Sequence, residues 1–264
     1  MKAENKEKNV KLGSFSAHWN PKDYLNEFYS PPLVVADELE AIKFQVDFLK
    51  TLAGKPLALE FGCGPTAHRT IAVAPYVSEI HMADFVPGNL EEVQKWTKED
   101  SGSHDWDHYV KYILECEGII NPTEEQIEKR KVETRKKVTR FIQADAGITY
   151  PLGEKYNGYY PHVFSGFCAD SATDDRRVWE KFMRNIASLV APNGTFFTAA
   201  LRKAKYYRAG ENYFPSANVD EHDIERVLGL DFLPESITIE VRELPELEEH
   251  GYQGIILAHA KKGE

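Results

Sequence analysis

Apolar runs alternate with amphipathic segments along most of the chain, and this order predicts strands alternating with helices. Residues 36–52 place apolar side chains mostly at helical spacing, whereas residues 57–61 form a short apolar run between two glycines. Strands are predicted at 57–61, 79–83, 141–144, 162–167, 195–201, 236–241 and 254–260. Helices are predicted from Pro21, after Pro65, and at 89–98, 106–115, 176–190 and 219–228. This pattern favours an α/β, Rossmann-like parallel sheet with helices on both faces and an antiparallel last pair of strands.

Residues 99–140 interrupt the alternation of strand and helix. The segment 123–140 contains EEQIEKRKVETRKK, in which opposite charges recur three and four residues apart, as is typical of a solvated surface helix. There is no internal repeat and no low-complexity linker, so we expect a single domain over residues 1–264. Within it we expect a flexible tail at 1–18, an N-terminal helical segment at 19–53, and a helical insertion at 99–140.

Composition narrows the classes of function. The 264 residues are 42% hydrophobic and 28% charged, which is ordinary for a globular protein. The net charge of −10 argues against nucleic acid as a partner, and no apolar run is long enough to span a membrane. Three separated cysteines, no metal-ligand spacing and no apolar N-terminal leader indicate a cytoplasmic protein without a disulfide framework or a metal site. We expect a monomer or weak homo-oligomer that acts on a small molecule.

The strongest motif is the turn Gly62-Cys-Gly64-Pro-Thr66, which follows a predicted strand and precedes a helix. Glycines at these positions let the backbone turn tightly and approach a ligand closely. Asp84 lies 20 residues after Gly64, at the end of the next strand, where a carboxylate faces the hydroxyls of a ribose. The motif by itself fits a nicotinamide cofactor, a flavin or S-adenosylmethionine, and a purely structural turn remains the alternative.

Further polar residues follow later strands, at the edge where open α/β sheets bind ligands. Asp145 is placed to accept a hydrogen bond from the exocyclic amine of an adenine, or else to cap a turn. Asp170 follows the fourth strand, and Tyr206 and Tyr207 follow the fifth, where they either wall a pocket or pack in the core.

In the order and spacing of its motifs, nearly the whole chain resembles the nicotinamide, phenylethanolamine and thioether methyltransferases. The resemblance favours S-adenosylmethionine over a nicotinamide cofactor, and it implies a class I methyltransferase fold. The segments that carry it are 19–29 (WNPKDYLNEFY), 61–66 (FGCGPT), 84–90, 95–96, 105–106, 143–145 (QAD), 151–153 (PLG), 167–170 (FCAD), 192–194 (PNG) and 206–211 (YYRAGE).

The resemblance also implies roles for individual residues. It places Asp170 beside the acceptor nitrogen as a catalytic residue, with Tyr207 as the second catalytic residue and Tyr206 beside it in the acceptor pocket. The cofactor would be bound by a tyrosine lid, the glycine turn, and residues at the ends of the second and third strands: Tyr24, Tyr29, Gly62, Gly64, Thr66, Asp84, Phe85, Asn89, Asp145 and Ala146.

Departures from the family pattern fall on the acceptor side. Ala199 stands where the nicotinamide enzymes have an acid, Arg202 opens a basic loop, and Glu249 lies where amine-specific members place a second acid. Arg202 and Glu249 are therefore candidate substrate-binding residues, and nicotinamide is not carried over as the substrate. The leading hypothesis is methyl transfer from S-adenosylmethionine to a small amine or nitrogen-containing metabolite. The alternatives are cyclisation of the cofactor to azetidine-2-carboxylate and methylthioadenosine, a non-catalytic binding scaffold, and a dehydrogenase.

Overall fold

The computed structural model describes residues 12–54 and 56–264, apart from the side chains of Ser16 and Glu249. Residues 1–11 of the predicted tail therefore lie outside the described residues. The α-helices are α1 (Phe15–His18), α2 (Pro21–Phe28), α3 (Ala36–Leu49), α4 (His68–Val73), α5 (Pro87–Thr97), α6 (Asp107–Cys116), α7 (Glu124–Lys137), α8 (Arg176–Ala187) and α9 (Glu221–Leu228). The strands are β1 (Leu57–Phe61), β2 (Glu79–Asp84), β3 (Val138–Gln143), β4 (Tyr160–Gly166), β5 (Val190–Leu201), β6 (Tyr206–Ala209), β7 (Asn212–Pro215), β8 (Thr238–Glu243) and β9 (Gly254–Lys261).

Seven strands form one twisted sheet in the order β3-β2-β1-β4-β5-β9-β8. The five strands from β3 to β5 are parallel, and β9 runs antiparallel to both β5 and β8. The predicted Rossmann-like sheet and its antiparallel last pair are thus confirmed. The chain leaves β1 toward β2 and β3, then returns to β4 on the other side of β1. Such a reversal opens a crevice at the carboxyl ends of β1 and β4.

Two apolar layers cover the sheet because neighbouring strand residues point to opposite faces. Ala58 joins a core packed under α3, α4 and α6, whereas Leu59 joins a core packed under α8 and α9. The boundaries of α8 and α9 follow from their caps, since Asp175 and Asp220 each accept two backbone N–H groups of the first helical turn. Helices on both faces therefore fix the sheet edge that carries the crevice.

Two sequence predictions about secondary structure were wrong in part. The helix predicted over 123–140 ends at Lys137, and Val138–Gln143 is the edge strand β3, whose partly exposed polar residues conceal its alternation. The segment after the fifth strand, predicted only as a loop, contains the hairpin of β6 and β7. This hairpin matters because it supports the N-terminal segment over the crevice.

Candidate functional site

A cavity of about 290 Å³ lies at the carboxyl ends of the parallel strands, between the sheet and the N-terminal helices. Its walls come from α1, α2, the start of α3, and the segments that follow β1 to β5 and β8. The described residues that line it include Trp19, Tyr24, Phe28, Tyr29, Asp37, Glu38, Gly62, Gly64, Thr66, Arg69, Asp84, Phe85, Asn89, Asp145, Ala146, Phe167, Cys168, Ser171, Phe182, Tyr207 and Tyr252.

The turn after β1 forms the floor of the cavity. Gly62 and Gly64 adopt φ angles of +70° and +59°, which side chains with a Cβ rarely adopt. The N–H groups of Gly62 and Cys63 both donate to the carbonyl of Ala83, at 2.8 and 3.1 Å, so the turn is anchored to the end of β2. The space beside Gly62 is filled by the Cys168 side chain, whereas a Cβ at Gly64 would have only Thr66 Cγ2 within 4 Å. A ligand can therefore approach the backbone of this turn at Gly64.

Asp84 lies at the end of β2 and is held in one orientation by neutral donors. Its carboxylate accepts from the N–H of Gly64 (2.8 Å), the N–H of Val86 (2.8 Å) and the Asn89 side chain (3.0 Å). Burial raises the pKa of Asp84, while the N–H groups of Val86 and Gly64 act in the opposite direction. A carboxylate has about four acceptor positions, so capacity remains for a hydroxyl group of a ligand.

The N-terminal segment, residues 12–29, lines the cavity and is attached at both of its sides. This segment is called the lid. The Trp19 indole N–H donates to Asn89 at 2.8 Å, and Asn89 in turn contacts Asp84. On the other side, the N–H of Gly13 donates to the carbonyl of Tyr213 at 2.6 Å, and the rings of Phe15 and Phe214 lie 5.1 Å apart. The lid thus rests on the β6–β7 hairpin.

Aromatic rings form much of the remaining wall. The hydroxyl groups of Tyr24 and Tyr29 lie 3.3 Å apart, and Tyr207 stacks on Phe214 with ring centroids 5.7 Å apart. Burial raises the pKa of Tyr24 to about 12 and that of Tyr207 well above its ordinary value, so both phenols stay neutral. Phe85, by contrast, is 57% exposed and offers a free ring face at the cavity mouth.

A buried polar cluster occupies the α3–α4 side of the cavity. Glu38 accepts from the Tyr29 hydroxyl at 2.8 Å, contacts His68 Nε2 at 3.0 Å and pairs with Arg69. Burial raises the pKa of Glu38, but Arg69 and His68 outweigh it and hold this pKa at about 2. The neighbouring Asp37 accepts from the Tyr252 hydroxyl at 2.6 Å. Burial and the charge of Glu38 raise the pKa of Asp37 to about 6.

Most of the sequence-predicted site residues come together at this cavity. Those that line it are Tyr24, Tyr29, Gly62, Gly64, Thr66, Asp84, Phe85, Asn89, Asp145, Ala146 and Tyr207.

Three predicted site residues stand apart from the others. Asp170 is buried behind the wall, where its carboxylate accepts from the N–H of Leu201 at 2.8 Å and from the Ser171 hydroxyl at 3.2 Å. Burial raises the pKa of Asp170 to about 6. Tyr206 is half-buried and meets Tyr213 edge-on at 5.4 Å, and Arg202 is paired with Glu221 and Glu243, each at 2.8 Å. The side chain of Glu249 lies outside the described residues.

The polar residues of the cavity that sequence reasoning missed include Asp37, Glu38, Arg69 and Tyr252. The two acids are in the first turn of α3, where acidic residues are common because they complement the helix dipole. Glu38 pairs with Arg69, 31 residues further along the sequence, and Asp37 pairs with Tyr252, 215 residues further along. These long-range contacts place the two acids at the cavity and cannot be read from the local sequence.

Two further findings concern membrane-spanning helices and metal sites. Across residues 12–54 and 56–264, no helix is long and apolar enough to cross a membrane. Among the same residues, no group of three or more His, Cys, Asp or Glu side chains is arranged to hold a metal ion.

The family profile and the relatives found by sequence agree on one family, and the solved structures share its fold. The profile of the NNMT/PNMT/TEMT family matches residues 7–262. The indolethylamine N-methyltransferase of Oryctolagus cuniculus is 29% identical over 220 residues, which cover 81% of this chain and 82% of that protein. The nicotinamide N-methyltransferase of Homo sapiens is 28% identical over 220 residues, covering 80% of this chain and 81% of its own. The N-methyltransferase NodS from Bradyrhizobium japonicum WM9, solved with S-adenosyl-l-homocysteine, shares the fold with a TM-score of 0.53, 14% identity and 91% coverage of both chains.

Proposed function

The chain belongs to the NNMT/PNMT/TEMT family, and from that premise we propose that it is an S-adenosylmethionine-dependent methyltransferase acting on the nitrogen of a small amine-containing metabolite. The observation that carries the proposal is the cavity at the carboxyl ends of β1 and β4. This cavity combines a glycine turn, a strand-end carboxylate and a wall of aromatic rings.

The residues at the cavity fit the three chemical parts of S-adenosylmethionine. Asp84 has acceptor capacity for ribose hydroxyl groups, and the exposed ring of Phe85 offers a stacking surface for adenine near Asp145. Tyr24 and Tyr207 present neutral aromatic faces, each of which stabilises a cation such as a sulfonium by about 0.5–2 kcal/mol. When bound, the cofactor supplies a methyl group made electrophilic by the positive sulfur.

The protein's own contribution is to position the acceptor and exclude water. Holding two reacting groups in attack geometry is worth about 7–11 kcal/mol of the barrier in favourable cases. The lid suits this task because Trp19 and Phe15 connect it to the cofactor side and to the β6–β7 hairpin, respectively. Tyr207 extends from that hairpin into the cavity, so we assign it to the acceptor side of the site.

Two predicted roles remain proposals. Asp170 is placed to hold the segment after β4 against β5 through its bond to the N–H of Leu201, and we retain it as a candidate catalytic carboxylate that orients the amine and accepts its proton. Arg202 and Tyr206, which lie apart from the lining residues, remain candidates for acceptor binding only if the segment from the end of β5 to the start of β6 rearranges.

One incubation tests the function. The purified protein is mixed with S-adenosylmethionine, with and without a panel of amines, and the nucleoside products are separated by chromatography. We expect S-adenosylhomocysteine only when an amine is present. Methylthioadenosine formed without any acceptor would indicate cyclisation of the cofactor and would overturn the methyl-transfer proposal. No nucleoside product under any condition, despite cofactor binding, would favour a binding scaffold.

A variant pair tests the role of Asp170. If it is catalytic, Asp170→Asn lowers turnover strongly while the affinity for S-adenosylhomocysteine is retained. The matched control is Asp174→Asn, which changes an exposed acid on the same segment. Equal turnover in the two variants would remove Asp170 from the catalytic residues.

A further inference from the structure

The cavity carries more negative than positive charge. Among the described residues that line it, Asp37, Glu38, Asp84 and Asp145 are acids, and Arg69 is the one cation. Glu38 forms an ion pair with Arg69. Asp84 accepts from the N–H of Gly64, and Asp145 accepts from the N–H of Gly147 at 2.7 Å. The shape of the cavity is therefore combined with an electrostatic preference for positively charged ligands.

Asp37 is the acid of this group that lacks compensation most clearly. Its Oδ2 accepts from the Tyr252 hydroxyl at 2.6 Å and its Oδ1 from the N–H of Glu38 at 2.9 Å, and both donors are neutral. The residue is only 6% exposed. Among the described residues no cation pairs with Asp37 directly, and Arg69 acts on it only through space. A buried carboxylate without a direct cationic partner is costly, so its position is accounted for if a ligand supplies a positive charge beside it.

The surroundings of Asp37 suit an organic cation better than a hydrated ion. Tyr24, Phe28 and Tyr252 line the same cavity and present aromatic surface. Tyr24 and Tyr252 are both close enough to Asp37 to interact with its charge. Aromatic faces next to a carboxylate are a common arrangement for binding ammonium groups, because the rings exclude water and attract the cation.

We propose that Asp37 binds the protonated nitrogen of the acceptor, so that the substrates are small aliphatic amines that are cationic at neutral pH, rather than neutral nitrogen heterocycles. The inference rests on the proposed function, since it concerns the acceptor of that same site. It assigns recognition of the amine to an acid on α3, whereas Asp170 is engaged by the N–H of Leu201 behind the wall.

Equilibrium binding tests this assignment without relying on turnover. The wild-type protein is saturated with S-adenosylhomocysteine and titrated calorimetrically at pH 8 with 2-phenylethylamine, a cation, or nicotinamide, a neutral heterocycle. We expect the amine to bind more tightly. Asp37→Asn should weaken amine binding by about 10- to 100-fold, the range for loss of a charge-assisted hydrogen bond, and change nicotinamide binding less than about twofold. Asp47→Asn, which alters an exposed acid of the same helix, should change neither.

The pH dependence gives a second readout. The charged and titratable groups around Asp37 are Glu38, Arg69, Tyr24, Tyr109 and Tyr252, and the pKa of each is shifted away from the range between pH 5 and 8. Asp37, with a pKa of about 6, titrates within it. Asp170 and Glu60, with pKa values of about 6 and about 7, titrate in the same range, so the comparison with Asp37→Asn identifies the part that depends on Asp37. Amine affinity of the wild type should therefore fall below pH 6, and this fall should be absent in Asp37→Asn.

The outcomes separate the two proposals. If S-adenosylhomocysteine does not bind the wild type, the proposed function fails. If it binds, and the complex prefers nicotinamide, binds no amine, or binds the amine equally well in Asp37→Asn, the assignment of Asp37 is overturned. Should Asp37→Asn fail to fold, the wild-type preference and its pH profile still decide. Tyr252→Phe then serves as the second variant, because it removes the hydrogen bond but keeps the charge.

Discussion

Gly62→Ala tests how closely the turn after β1 is built against its neighbours. Gly62 combines a positive φ of +70° with close packing, since a Cβ at this position would lie 2.1 Å from Cys168 Sγ and 2.6 Å from Cys168 Cβ. Both distances are far below van der Waals contact. The side chain of Cys168 must therefore move, and it lines the same cavity.

The cost has two parts that the structure separates. A residue with a Cβ in left-handed conformation costs about 1–2 kcal/mol, and overpacking a closed site costs about 1–3 kcal/mol. Gly62→Ala should thus destabilise the fold by about 2–5 kcal/mol. Gly54 is the matched control, because it has a similar φ of +77° but nothing within 4 Å of its missing Cβ. Gly54→Ala should show the conformational cost alone.

Urea unfolding of five proteins measures both parts: wild type, Gly54→Ala, Gly62→Ala, Cys168→Gly and the Gly62→Ala/Cys168→Gly double variant. Cys168→Gly removes the two atoms that the new Cβ meets, so the double variant should recover about 1–3 kcal/mol relative to the sum of the single changes. Affinity for S-adenosylhomocysteine should fall in Gly62→Ala and stay unchanged in Gly54→Ala. Equal losses of stability in Gly62→Ala and Gly54→Ala, or no coupling between Gly62 and Cys168, would refute the packing argument.

Three further predictions concern stability and ligand affinity. Phe85→Ala should weaken S-adenosylhomocysteine binding about 5- to 100-fold through lost stacking, with little change in the free energy of unfolding. Tyr159→Ala, which removes another exposed ring, should leave this affinity unchanged. Equal losses of affinity in the two variants would contradict the stacking role of Phe85. Glu38→Gln should lower the free energy of unfolding by about 3–5 kcal/mol, because it leaves the buried Arg69 unpaired. The control Glu240→Gln, at a half-exposed ion pair, should lower it by about 0–1 kcal/mol. Similar urea midpoints for the two variants would contradict this prediction. Because the pKa of Asp37 rises from 3.8 to about 6 on folding, its contribution of about 3 kcal/mol is present in full below pH 3.8 and lost as pH rises through 6. Urea unfolding across this range should show that loss in the wild type and lack it in Asp37→Asn, and parallel profiles would contradict it.

The sequence predicted those parts of the site that local chain geometry determines. Gly62, Gly64 and Asp84 were predicted from a strand, a turn and a second strand, because parallel strands bring their carboxyl ends to one edge whatever the rest of the fold does. The same logic placed Asp145 correctly after β3. The order of strands and helices therefore determines where residues at strand ends lie, and this order can be predicted from the sequence alone.

Residues defined by long-range contacts were beyond that reasoning. Nothing local distinguishes Asp37 from an ordinary acid in the first turn of a helix, and its partner Tyr252 is 215 residues away. The hairpin of β6 and β7 was missed for a related reason. Its strands have four residues each, too few to show a clear alternation, and it is completed by contacts with the lid such as that between Gly13 and Tyr213.

The adjacent acids Asp37 and Glu38 on α3 differ in role, since one is suited to ligand binding and the other to stabilising the structure. Glu38 is surrounded by Arg69, His68 and Tyr29, and its pKa of about 2 means that the folded protein stabilises its charge. Asp37 is equally buried, yet its pKa of about 6 means that the folded protein disfavours its charge. Carboxylates whose environments separate their pKa values in this way commonly have different roles. Glu38 has every partner it needs within the chain, so it holds the lid tyrosine and α4 in place. Asp37 has no direct ion pair among the described residues, and a cationic ligand in the cavity would convert its unfavourable burial into binding energy.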